Sequence, residues 1–133
     1  MVNACNDGQA ATDRGRQAED AALAMLQDAG LRVLRRNFKT PGRGGGEIGL
    51  IMLEPDGTLV FVEVRHRRQM RQGGAAASVD ARKQARIVWA ARHYLARLRQ
   101  LPPCRFDVVA FDGHWHAAHP PTPRWIRAAF DAG

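Results

Sequence analysis

Glu63 stands inside the most apolar run of the chain, Leu59–Arg65 (LVFVEVR). A carboxylate on a strand buried on both faces is costly unless a cation or a metal ion meets it. Arg65 follows two residues later, so both side chains leave the same face of a strand. Glu47 opens the preceding apolar run, Glu47–Leu53 (EIGLIML), and Glu19 borders the apolar face of an amphipathic stretch. An acid, a spacer and a base on one strand, beside an acid on its neighbour, is a pattern for phosphodiester chemistry. Carboxylates hold Mg²⁺ or Mn²⁺, the ion polarises the phosphate and activates water, and the nearby cation positions the phosphate. Glu47 and Glu63 are the candidate ligands, with Glu19 as a third.

The elements that must position these residues follow from periodicity and turn chemistry. Ala18, Ala22, Met25, Leu26 and Ala29 recur at helical spacing and predict a helix from about Asp13 to Ala29, capped by Thr12 and ended by Gly30. Asp20 points away from its apolar face. Residues 1–11 are small and polar and are expected to be disordered, leaving 12–133 as a single domain. Leu31–Phe38, Glu47–Leu53 and Leu59–Arg65 read as strands, the last two as a hairpin across Glu54-Pro55-Asp56-Gly57. Their apolar residues fall on nearly every position, so both faces of the sheet should be covered. A second helix is expected over about Ser78–Arg99, a strand over Arg105–Phe111, a short strand at His114–Ala117 and a short helix from about Pro123 to Ala129. The order implies an α/β domain with a central mixed sheet of four or five strands flanked by helices. The strand at Arg105–Phe111 is placed parallel to Leu59–Arg65 through a right-handed crossover.

Charge is one-sided. The chain has 133 residues and a net charge of +7, and eighteen of its twenty cations are arginine. Residues 65–105 hold eleven basic residues and one acid, a net +10, while the rest holds nine basic and twelve acidic residues, a net −3. That is the footprint of a protein that neutralises phosphates. Arg67, Arg68 and Arg71 follow the acidic strand as candidate phosphate contacts. On the second helix Arg82, Arg86, Trp89, His93 and Arg97 fall on one face, opposite a seam of Ile87, Val88, Ala91, Tyr94, Leu95 and Leu98. Lys83 lies between seam and ridge, where it can either reach the acidic site or lie along the surface.

Other features exclude more than they offer. No apolar stretch approaches the length of a membrane span, and the N-terminal residues lack the apolar core of a secretory signal. Cys5 and Cys104 can form neither a disulfide framework nor a four-thiolate zinc site, so a reduced cytoplasmic setting is expected. For His114, His116 and His119 no acid or cysteine completes a metal's ligand set, and they read as a surface loop. The Gly42–Gly46 loop lacks the lysine and hydroxyl of a phosphate-binding P-loop and reads as a flexible link. Asp107 (RFDVV) reads as structural, tied to a nearby arginine or a turn amide.

Taken together, GRQAEDAALAML (15–26), LRRNF (34–38), GEIGLI (46–51), LVFVEVRHR (59–67), KQARIVWAARHYL (83–95), RFDVVAF (105–111) and WIRAAF (125–130) resemble the YraN-like family of uncharacterised bacterial proteins. That family has an endonuclease-like fold related to the PD-(D/E)xK nucleases and the archaeal Holliday-junction resolvases. The resemblance implies a site lined by Glu19, Glu63, the cation after it and Lys83. It also implies DNA more than RNA as partner, and, by analogy with resolvases, a homodimer. Two positions depart from it: the family's Gly-Glu-Ile-Asp-Leu-Ile has Gly49 in place of Asp, and its Glu-Val-Lys is Glu63-Val64-Arg65 here. Glycine supplies no ligand, and arginine clamps a phosphate but cannot act as a base. The expected function is therefore nucleic-acid binding with a degenerate metal site, weakly active or inactive. The alternatives are a Mg-dependent endonuclease on DNA, branched DNA included, and a protein-interaction module with a basic surface.

Overall fold

The apolar runs pair into one sheet in the computed structural model, which describes residues 3–42, 44–69, 73–116 and 118–132, with side chains from Asp13 onward. The elements are α1 (Asn3–Asp28), β1 (Arg32–Lys39), β2 (Glu47–Leu53), β3 (Leu59–Arg67), α2 (Gly74–Ala77), α3 (Ala81–Leu95), β4 (Cys104–Asp112) and β5 (Pro123–Phe130). The five strands lie in sequence order. β3 and β4 are parallel, linked through α2 and α3, and every other neighbouring pair is antiparallel.

Near-continuous apolar strands need two covers, and they have them. Ala18, Ala22 and Leu26 of α1 close over Leu50, Met52, Val60, Val62, Val109 and Phe111. Ile87, Val88, Ala90 and Ala91 of α3, with Ala75 of α2, close over Ile48, Ile51, Phe61, Phe106 and Val108 on the opposite face. α1 stops in a Schellman turn: Gly30 has φ +99, its N–H donates to Gln27 O, and the Leu31 N–H donates to Leu26 O. α3 starts at Asp80, whose carboxylate accepts from the Lys83 N–H at 2.9 Å. Gly46 lies directly against α3, where a Cβ would collide with the Arg86 carbonyl oxygen.

Four elements differ from the sequence expectation. α1 begins at Asn3, and Thr12 lies within it; extending a nucleated helix costs far less than starting one, so polar residues do not stop it. Ala29 falls past its end and is exposed. The helix expected from Ser78 is two pieces, with Ser78 as the C-cap of α2 and Asp80 as the N-cap of α3. Pro123–Phe130 is a strand where a helix was expected. Without it β4 would be a bare edge, and pairing its backbone groups outweighs a mild helix preference in RAAF. Residues 114–116 form no strand, and Ala117 lies outside the described residues.

Asp107 fastens β5. It is fully buried, and its carboxylate accepts from Arg105 Nε at 3.0 Å, Trp125 Nε1 at 2.9 Å and the Ala128 N–H at 2.9 Å. The last contact fixes a bulge opposite Phe106–Val108, where Ala128 has φ +49. The expected arginine partner is Arg105, and the backbone amide that Asp107 accepts from belongs to a strand bulge rather than a turn. Asp107→Ala strands all three donors and should lower the unfolding free energy by about 3 kcal/mol. Urea denaturation followed at Trp125 measures it; a loss below about 1 kcal/mol would show that β5 is held by its ladder alone.

Candidate functional site

Strands β2 and β3 separate beyond one residue pair, and the site lies in the gap. Their ladder runs from Leu53–Leu59 to Leu50–Val62 and ends there. β2 goes on pairing with β1 through Ile48 and Glu47, whereas β3 goes on pairing with β4 from Glu63 to Arg67. The diverging ends, roofed by α1 and α3, enclose a cavity of about 400 Å³ lined by Glu19, Glu47, Gly49, Glu63, Arg65 and Lys83 among others. Residues from two strands and two helices, far apart in the chain, thus meet at one fork.

Glu63 occupies the strand position with both faces covered, and its carboxylate is buried. Lys83 Nζ lies 3.4 Å and Arg65 Nη1 3.7 Å from its Oε2. Burial pushes the Glu63 carboxyl above its ordinary 4.5; the two cations pull against that and Glu47 adds to it. Arg65 is fixed from its other side: its Nε donates to Ser78 Oγ at 3.0 Å, and that hydroxyl donates to Ala75 O at 2.5 Å. Lys83 therefore reaches the site from the third residue of α3, and Arg65 bridges the acidic strand to α2.

Glu19 comes from the other face of the sheet. A Cβ on Gly49 would sit 3.2 Å from Glu19 Oε2, so the missing side chain at 49 makes room for the α1 carboxylate. Burial pushes the Glu19 carboxyl upward, and the Arg36 guanidinium opposes it from 3.3 Å. Arg36 also pairs with Asp20 at 2.6 Å. Glu47 is half exposed and faces Lys39 at 3.7 Å, a pair of little energetic weight in water.

A divalent ion needs several carboxylate oxygens converging on one point. Among the described residues no three His, Cys, Asp or Glu side chains come together as a metal-binding group. Gly49 contributes no ligand, and the carboxylates of Glu63 and Glu19 already face ammonium and guanidinium groups. The donor set as it stands does not fit Mg²⁺ or Mn²⁺. The rings of His114 and His116 lie 4.6 Å apart at a tilt of 56° in the loop after β4, and among the described residues they join no such group.

The nucleic-acid candidates lie outside the fork. Arg82, Arg86 and Arg97 are exposed on or just beyond α3, and Arg67 and Arg68 are exposed at the end of β3. Among the described residues none of these five makes an ion pair with an acid, in contrast to Arg65, Lys83 and Arg36. Arg71 lies outside the described residues. Sequence reasoning missed Ser78 and Arg36. The Gly73-Gly74 pair before Ala75–Ala77 marks the turn that delivers Ser78, and the Arg35-Arg36 pair in LRRNF marks the cation near Glu19.

A five-strand mixed sheet, helices on both faces and a charged pocket at a strand fork define an α/β domain of the restriction-endonuclease-like class. The model of the uncharacterised protein family UPF0102 matches residues 18–111. A UPF0102 protein of Albidiferax ferrireducens is 58% identical over 118 residues, 89% of this chain and 87% of the relative. One from Polaromonas naphthalenivorans is 59% identical over 121 residues, 90% and 79% of the two chains. One from an Acidovorax species is 50% identical over 131 residues, 98% and 94%. The chain belongs to the uncharacterised family UPF0102, the family called YraN-like above.

A carboxyl with a raised folded pKa stabilises the fold fully below its unfolded value, and that contribution is lost as pH rises through the folded value. Glu63 is such a group, with its burial unfavourable to charge. Glu63→Gln should therefore raise the urea midpoint at pH 7.5, by an amount that shrinks to nearly nothing at about pH 4. A variant less stable than the parent at pH 7.5 would show that the two cations outweigh the burial.

Proposed function

We propose that the protein binds nucleic acid on its arginine-rich outer surface and carries a pocket whose former metal chemistry is degenerate. One observation carries the reading: two groups of cations differ in their surroundings. Lys83 and Arg65 in the fork face Glu63 at 3.4 and 3.7 Å, and Arg36 on β1 faces Glu19 at 3.3 Å. Those on the outer face of α3 and at the end of β3 face solvent and have no acid among the described residues. Internal cations take the role of neutralising the acids, which a bound ion would otherwise perform. The outer arginines stay available for phosphates, where a guanidinium binds in two-pronged fashion. DNA is the expected partner, and no reaction step is assigned to the fork.

No helix among the described residues is long and apolar enough to cross a membrane, which agrees with a partner met in water. The cytoplasm as setting and a homodimer as assembly remain part of the proposal.

The test is titration of fluorescent duplex, branched and single-stranded DNA at several salt concentrations. Binding should weaken steeply with salt, and the triple variant Arg82→Ala, Arg86→Ala, Arg97→Ala should reduce the log–log slope by up to about 3. The wild type should cut none of these substrates with Mg²⁺ or Mn²⁺. Cleavage abolished by Glu63→Gln would overturn the degenerate site in favour of a working endonuclease. Absence of binding at low salt, with a stable protein complex instead, would favour the interaction module. Gly49→Asp with Arg65→Lys is the informative gain-of-function variant. The added Cβ meets Glu19 Oε2 at 3.2 Å and Val62 O at an ordinary 3.6 Å, so it is accommodated once the Glu19 carboxylate shifts by a few tenths of an ångström, and cleavage restricted to this variant would mark a decayed nuclease.

A further inference from the structure

Trp89 stands among the arginines of α3, and the fold makes little use of it. It is 51% exposed in the middle of the helix. The other tryptophans are engaged: Trp125 donates to Asp107 and carries the Arg127 guanidinium 3.9 Å from its ring centroid, and Trp115 packs edge-on against Phe111 and His66. Among the described residues Trp89 gives no hydrogen bond, and no guanidinium covers its ring. Its neighbour is His93, at 5.0 Å and an interplanar angle of 64°. That edge contact props the indole without covering it as a stacked ring would.

The ring divides two surfaces. On one side runs the ridge of Arg82, Arg86 and Arg97. On the other a cleft of about 340 Å³ lies between α3 and the residues after β5. Ala85 and Val88 give the cleft an apolar floor, Gln84 and Arg92 lie on the α3 side, and Asp131 faces them. An aromatic wall, an apolar floor and a rim of donors and acceptors are what a flat heteroaromatic ring requires. The adjacent guanidiniums supply what its attached phosphates require.

We infer that Trp89 is a stacking platform for an unpaired nucleobase, with Arg82, Arg86 and Arg92 holding the flanking phosphates. The inference rests on the nucleic-acid reading above and narrows it to strands that present an open base face: single strands, flaps or unpaired junction bases. Bases inside a duplex have both faces covered by their neighbours, so an exposed indole gains nothing from them. An unpaired base reaches the indole face and the cleft together.

The experiment uses the full chain at low salt with a short oligothymidylate and a blunt duplex as probes. Oligothymidylate should quench tryptophan fluorescence, and Trp89→Ala should remove most of the quenching. The same variant should bind the single strand about 5- to 100-fold more weakly, while duplex affinity changes less than about twofold. Trp89→Tyr should restore most of the loss, as a stacking role demands and a purely packing role does not. Unchanged single-strand affinity in Trp89→Ala, alongside lost affinity in Arg82→Ala, Arg86→Ala, would overturn the platform and leave nucleic-acid binding standing. No binding of either probe would overturn both. A wild type that sediments as a dimer and a Trp89→Ala variant that sediments as a monomer would assign the ring to a second copy of the chain, again overturning the platform.

Discussion

The Glu63 carboxylate is held out of water between an ammonium from α3 and a guanidinium from its own strand. A buried ion pair adds little net stability, because burying the charge offsets the attraction of its partners, and this clamp serves to fix geometry. It ties α3 to β3, and through Arg65 and Ser78 it ties α2 to the same strand. The crossover that makes β3 and β4 parallel is thereby anchored at the mouth of the fork. A charge placed for chemistry and a charge placed for packing are here the same atoms.

Neutralisation by side chains differs from neutralisation by a bound ion. An ion leaves when a chelator or a competing ligand draws it off, whereas Lys83 and Arg65 are attached to the chain and remain at the carboxylate. Gly49 leaves room for the Glu19 carboxylate, whose own counterion is Arg36 from β1. The pocket is consequently balanced from within. Exposed arginines without an acid partner among the described residues include those on the outer face of α3 and at the end of β3.

Much of the scaffold was legible because it rests on local rules. Apolar runs bounded by turn residues gave β1 to β4, Gly30 gave the end of α1, and the seam of Ile87, Val88 and Ala91 gave the buried face of α3. Strand alternation alone put Glu63 and Arg65 on the same face of β3. What failed was decided by distant partners. β5 reads as a short helix until β4 is seen to need a neighbour, and its bulge depends on Asp107, sixteen residues before Pro123. Within the site, Lys83 lay on the border between two faces of α3, and only the packing angle of that helix brings it to Glu63. Arg36 and Ser78 could not be joined to the site from their faint local signals, because their partners sit on other elements and no spacing rule links them.

Both rims of the sheet are poor templates for another strand. β1 is broken by a register shift between Val33 and Arg35 and by Asn37 at φ +53, and it bears Arg32, Arg35, Arg36 and Lys39. β5 is broken at Ala128 and bears Arg124 and Arg127. Irregular, cationic rims repel each other and offer no unbroken row of amides and carbonyls. Two molecules of this protein are thus kept from zipping edge to edge into a continuous ribbon, even when crowded side by side.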